Sequence, residues 1–210
     1  MSKVRIKYRK AEVLRWLSHM ETYRAWMRII RRSEIPIRYS EGFSPHPKIS
    51  LGPALPVGVG SEAEYMDIKL EGDMAAATVR ESINSKAPEA LMVLEAKVIP
   101  DQTKSLGATV KYSDYRFYLL SERSDSLSAQ ERCVLEGSIT EQVGKNRGQR
   151  IKCFEWSQGN EKEEQKNMID FVLRLPVSTR VKDTLTDLDE VPDLKNCSFV
   201  VDRVAQWIDK

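Results

Sequence analysis

The chain has 210 residues, 41% of them hydrophobic and 30% charged, a mixture that suits one large or two small folded domains and excludes a disordered chain. No apolar run approaches the ~20 residues that cross a bilayer, and the opening MSKVRIKYRK lacks a secretory apolar stretch, so a cytoplasmic protein is expected. The net charge of +2 conceals an asymmetry: residues 1–60 carry twelve Lys/Arg against four Asp/Glu (+8), and residues 61–210 carry twenty-one against twenty-seven (−6). Segregated positive charge points to an anionic partner, most commonly nucleic acid.

From Val4, the string VRIKYRK sets Val4, Ile6 and Tyr8 on one face and cations on the other, the two-residue period of a strand with one wet side. Ser18-His19-Met20-Glu21 has the pattern of a capping box, in which hydroxyl and carboxylate satisfy each other's backbone amides. It predicts a helix over 19–32 that stops before Pro36. Met20, Tyr23, Trp26, Met27 and Ile30 share one side of that helix and are expected to pack on a sheet. A stretch punctuated by Pro and Gly over 35–60 should hold a strand near 47–51. Alternation marks another strand over 64–70, residues 73–86 read as a helix ended by Pro88, and residues 91–99 read as a fourth strand.

Residues 101–110, polar with a glycine, read as a linker. The order then repeats. A strand over 115–120 precedes a helix over 128–140, opened by a second capping box at Ser128 and Glu131. Strands over 151–156 and 168–175 flank the polar tip SQGNEKEEQKN, and a short helix over 181–188 leads to a last strand over 198–208. The expected architecture is α+β, two tandem split-βαβ (ferredoxin-like) units: a basic unit over 1–100 and a second over 111–210. Trp16, Trp26, Trp156 and Trp207 read as packing residues. Cys133, Cys153 and Cys197 form no CxxC pair, so neither a disulfide framework, a zinc site nor any other cofactor is expected.

Two features carry chemistry. On the first helix Arg24, Arg28 and Arg31 fall within about 60° of one another, with Arg32 beside them. Like charges so placed repel by a few tenths of a kcal/mol per pair, and phosphate, which fits the guanidinium fork, relieves them. The second feature is the run Arg38-Tyr39-Ser40-Glu41-Gly42-Phe43-Ser44-Pro45-His46-Pro47-Lys48. It suits a loop that sets cations on phosphates and rings against bases, and equally a well-ordered connection whose aromatics pack inward. The candidate RNA-binding set is Arg24, Arg28, Arg31, Arg38, Tyr39, Phe43, His46 and Lys48. His19 falls on the apolar side of its helix near Tyr23. It reads as a buried histidine bonded to its surroundings, or as a neutral imidazole able to act as a base.

Leu17-Ser18-His19, Ile35-Pro36, Tyr39-Ser40-Glu41-Gly42-Phe43 with Pro45-His46-Pro47, Pro56-Val57-Gly58-Val59 and Glu62-Ala63-Glu64-Tyr65 together resemble the signature of the bacterial radical-SAM-linked protein family. The likeness is dense over residues 4–70 and faint beyond about residue 100. Met20-Glu21 stands where that family usually has Leu-Asp, which preserves the capping logic. Within the motif, Ser18, His19, Ser40, Glu41, Gly42, Pro45 and Pro47 are the residues the resemblance marks. It implies a domain found alone or fused to a radical SAM and cobalamin-binding enzyme, often encoded near ribonuclease G and ribosomal proteins, and it assigns no activity. The chain has no CxxxCxxC triad for an iron–sulfur cluster, so it would be the partner of such an enzyme and not the enzyme itself.

Three functions are therefore expected as alternatives. The first is a non-catalytic accessory protein that binds tRNA or rRNA and presents it to a radical SAM enzyme. The second is a metal-independent RNA-processing endonuclease with His19 or His46 as general acid or base, similar at fold level to CRISPR repeat-processing endonucleases. The third is a module that docks on the radical SAM enzyme without RNA.

Overall fold

In the computed structural model, residues 2–120, 128–147, 154–156, 169–194 and 198–208 are described. The protein is mixed α/β and forms two units, Met1–Lys111 with Gln206–Lys210, and Tyr112–Ala205. Among the described residues no helix is long and apolar enough to cross a membrane.

In the first unit β1 (Lys3–Lys10) pairs antiparallel with both β3 (Gly60–Lys69) and β4 (Val93–Ile99), and β2 (Ile49–Leu51) pairs antiparallel with β3. The strand order is β4-β1-β3-β2. Val4, Ile6 and Tyr8 of β1 and Met66 and Ile68 of β3 form one core with Trp26, Ile29 and Ile30 of α1 (His19–Arg32) and Val79 and Ile83 of α2 (Ala76–Asn84). Tyr8 meets the Trp26 ring edge-on, centroids 4.8 Å apart. Asn84 clamps the end of α2 to β4: its amide donates to the Val93 carbonyl at 3.0 Å and its carbonyl accepts from the Val93 N–H at 2.8 Å.

The first capping box forms as its pattern predicts. Glu21 N–H donates to Ser18 Oγ at 3.3 Å, and the Glu21 carboxylate accepts from the Ser18 N–H at 2.8 Å. The buried side of α1 differs from the apolar count. Met20 is 54% exposed, Tyr23 and Met27 are half-buried, and the buried residues are Thr22, Trp26, Ile29 and Ile30. Polarity misplaces the face, because Thr22 Oγ1 donates to the Ser18 carbonyl at 3.0 Å and Ser33 Oγ to the Ile30 carbonyl at 2.8 Å. With their hydroxyls returned to the helix backbone, both residues enter the buried stripe at little cost.

The far face of β1 is not the wet side its cations suggest. Lys3, Arg5 and Asp67 form a compact ionic group: Lys3 Nζ lies 3.0 Å from Asp67 Oδ2, and Arg5 makes a two-pronged contact to the same carboxylate at 2.8 and 3.0 Å. Register places Arg5 directly opposite Asp67. Residues 101–110, expected as a linker, belong to the first unit, since α3 (Leu106–Thr109) buries Leu106 and Lys3 Nζ donates to the Thr103 carbonyl at 3.1 Å. The polar composition of this segment reflects its use as a lid over a charged face.

In the second unit β5 (Val110–Leu120) pairs antiparallel with β7 (Ile169–Pro176), which pairs with β6 (Phe154–Trp156), and β8 (Ser198–Ile208) neighbours β5, giving the order β8-β5-β7-β6. Phe117 and Phe171 stack at 5.4 Å in register, and Phe199 meets both edge-on. α4 (Ala129–Arg147) begins at the second capping box, with Glu131 N–H donating to Ser128 Oγ at 3.3 Å, and buries Leu135, Ile139 and Val143. α5 (Val181–Asp189) buries Val181 and Leu188. The polar tip over 157–167 and the start of the strand expected from 151 lie outside the described residues.

Asp67 is 3% exposed, so Asp67→Ala leaves two largely buried cations without their anion and should cost about 3–5 kcal/mol in urea unfolding. Glu95→Ala, which removes the exposed partner of Lys7, should cost less than about 1 kcal/mol in the same assay. Ser18→Ala should cost about 1 kcal/mol. Hydrogen bonds from the Ser18 hydroxyl and then its N–H hold the Glu21 carboxyl below the usual carboxylate range. A lowered folded pKa means stabilisation that is full above the unfolded pKa and lost as pH falls through the folded one. The gap between wild type and Ser18→Ala should therefore narrow in acid.

Candidate nucleic-acid interface

α1 ends where the Ser33 N–H meets the Ile29 and Ile30 carbonyls, and Glu34 then takes a left-handed φ of 57° that turns the chain toward Ile35 and Pro36. Beyond Pro36 the chain forms a pinned hairpin. Ile37 pairs with Leu70 and Tyr39 with Pro47. The Ser40 N–H donates to the His46 carbonyl at 2.8 Å, and the His46 N–H donates to Ser40 Oγ at 3.0 Å. Glu41, Gly42, Phe43, Ser44 and Pro45 project from this closure, all exposed. Gly42 has φ 119°, which a side chain would resist, so glycine is required there for the tip to turn.

At the hairpin's base, three cationic residues are joined through their backbones in a ring. The Lys48 N–H donates to the Arg38 carbonyl at 2.7 Å, the Lys69 N–H to the Lys48 carbonyl at 3.1 Å, and the Arg38 N–H to the Lys69 carbonyl at 2.8 Å. Lys3 stands opposite Lys69 across the β1–β3 pairing. The Asp101 carboxylate enters this group, 2.7 Å from Lys69 Nζ. The Lys69 hydrogen bond, helped by the charges of Lys69, Lys3 and Arg38, holds the Asp101 carboxyl below its ordinary range. Alternation along β3 gives no reason to single out Lys69, because a lysine on such a strand reads as solvated. Only register puts it beside Arg38 and Lys48.

Arg24, Arg28 and Arg31 are exposed on α1, as is Arg32. Seven residues of helix spread the first three over about 10 Å. Among the described residues no carboxylate lies within salt-bridge distance of Arg28, Arg31 or Arg32, and Arg24 feels Glu21 one turn back. The structure thus joins Arg38, Tyr39, Ser40, His46, Pro47 and Lys48 in one hairpin and carries the α1 arginines on a separate element.

His19 is half-buried at the first turn of α1, and His46 is exposed on the hairpin, held through its backbone. Among the described residues neither imidazole has a side-chain hydrogen-bond partner that would orient it as an acid or base. Two of the tryptophans read as packing residues are exposed, Trp16 and, at 47%, Trp207. Trp26 is buried as expected, but Trp16 is 72% exposed beside Gly58, whose N–H donates to the Arg15 carbonyl. Phe43, at 112% relative exposure, touches solvent on all sides.

No curated protein matches the chain. A family model described as an uncharacterized protein conserved in bacteria (DUF2344) matches residues 3–190, which takes in the hairpin, the α1 stripe and most of the second unit, and the chain therefore belongs to that family.

Proposed function

We propose that this protein is a non-catalytic RNA-binding accessory of a radical SAM enzyme. It holds tRNA or rRNA through Arg24, Arg28, Arg31, Arg38, Tyr39, Phe43, His46 and Lys48. The observation that carries the RNA part is the fate of the twelve cations in residues 1–60. Those of β1 and the turn after it are used internally: Lys3 and Arg5 on Asp67, Lys7 on Glu95, Arg9 on Glu89, Arg15 on Glu12, and Lys10 on the Leu17 carbonyl. Of the rest, Arg24, Arg28, Arg31 and Arg32 are exposed on α1, where a polyanion can reach them, and Arg38 and Lys48 lie half-buried at the hairpin base. The link to a radical SAM enzyme rests on the resemblance of the motif over residues 17–65 to proteins that occur beside or fused to such enzymes.

The same reading takes the two units as tandem ferredoxin-like domains. Each has the element order β-α-β-β-α-β over its main strands and helices, and each orders its strands fourth-first-third-second. A two-pronged Arg–Asp contact bridges first and third strands in both, Arg5 to Asp67 and Arg174 to Asp114, with the polarity exchanged.

Binding of tRNA and rRNA fragments, followed by fluorescence anisotropy as salt is raised, tests the proposal. Affinity should fall linearly on a log–log plot, with a slope of about 0.7 per single-strand phosphate neutralised. Changing Arg24, Arg28 and Arg31 together to Glu should weaken binding at least tenfold and flatten that slope. Binding that is absent, or indifferent to salt, ends the RNA reading.

A further inference from the structure

Resting on the RNA-binding reading, we infer that the ligand is unpaired RNA, and that Phe43 is a stacking platform for a single splayed base whose neighbouring phosphates are met by Arg38 and Lys48 at the foot of the hairpin. The hairpin presents this ring in an unusual way. Ser40 and His46 close the loop with two hydrogen bonds, Tyr39 pairs with Pro47 below them, and the tip then carries Phe43 clear of every other residue. A phenylalanine in a flexible turn folds back to hide its apolar surface from water. Here the closure and the Gly42 turn fix the backbone of the tip, and the ring projects from it into solvent.

The surroundings of the ring select its ligand. Phe43 has Ser40, Glu41, Gly42, Ser44 and Pro45 as neighbours along the tip, none of them a large apolar residue. A protein partner gains from a central aromatic when a ring of neighbouring contacts excludes water around it, and the tip supplies none. A base needs only the exposed π-face, and stacking tolerates any base identity. Arg38 and Lys48, five residues away along each arm of the hairpin, supply the phosphate contacts that stacking by itself lacks. Glu41, the one carboxylate on the tip, disfavours a second phosphate there. Duplex RNA cannot use the platform. Its bases are already stacked on one another, and its major groove is too deep and narrow for a side chain to read.

The test compares a single-stranded oligouridine with a fully paired RNA duplex of equal length, at low salt, for wild type, Phe43→Ala, Phe43→Trp and the Arg24, Arg28 and Arg31 to Glu triple variant. Phe43 is wholly exposed, so its replacement should leave the melting temperature unchanged. The expected result is a roughly tenfold or greater loss of oligouridine affinity in Phe43→Ala, with duplex binding unaltered and Phe43→Trp at least as tight as wild type. If Phe43→Ala binds oligouridine like wild type while the triple variant does not, the platform is wrong and RNA binding stands. If Phe43→Ala weakens strand and duplex alike, the selectivity for unpaired RNA is wrong. If no variant, wild type included, binds either RNA, both this inference and the RNA-binding function beneath it fall.

Discussion

The first unit is organised around one carboxylate. Asp67 sits near the end of β3, nearly inaccessible, and takes two cations from β1 at once. An ionised side chain so placed is tolerated only when its oxygens are fully answered, and the two-pronged Arg5 contact fixes the relative register of the central strands as well as neutralising charge. A slip by one residue would send Asp67 to the side occupied by Val4, Ile6 and Tyr8. The same group draws in residues 101–104, because Lys3 and Arg5 spend further donors on the Thr103 and Lys104 carbonyls. The lid over this face and the pairing beneath it are therefore one construction.

That construction positions the hairpin. β3 ends at Lys69, the residue whose backbone meets both Arg38 and Lys48, and Lys69 stands opposite Lys3 in the register that Asp67 secures. Cations brought this close repel unless something negative intervenes, and Asp101, carried in by the lid segment, supplies such a charge.

Much of the fold was legible because its signals are local. Both capping boxes, at Ser18 and Ser128, formed from a four-residue pattern, the strand over 64–70 followed from alternation, and the strands expected over 91–99 and 198–208 are present as β4 and β8. Three features were hidden because their causes are not apparent from residue type alone. Thr22 and Ser33 look polar and are buried, since their hydroxyls bond to their own helix. The segment 101–110 looks like a linker, and only the distant charges of Lys3 and Arg5 explain why it is held down. Lys69 looks like any strand lysine until pairing places it at the hairpin. Of the candidate site, the motif over residues 38–48 could be read directly, whereas its pinned closure and the outward set of Phe43 could not.

The charge asymmetry that suggests an anionic partner has two different meanings along the chain. In β1 and the turn after it, positive residues are structural: they meet Asp67, Glu89 and Glu95, which come from the acidic remainder of the sequence. On α1 they are not consumed this way, and helix periodicity keeps Arg24, Arg28 and Arg31 on one exposed stripe. A simple count of +8 over residues 1–60 therefore overstates the working surface. Three arginines in register on one helix repel one another, and a phenylalanine fully in water hides none of its apolar surface, so both arrangements cost stability.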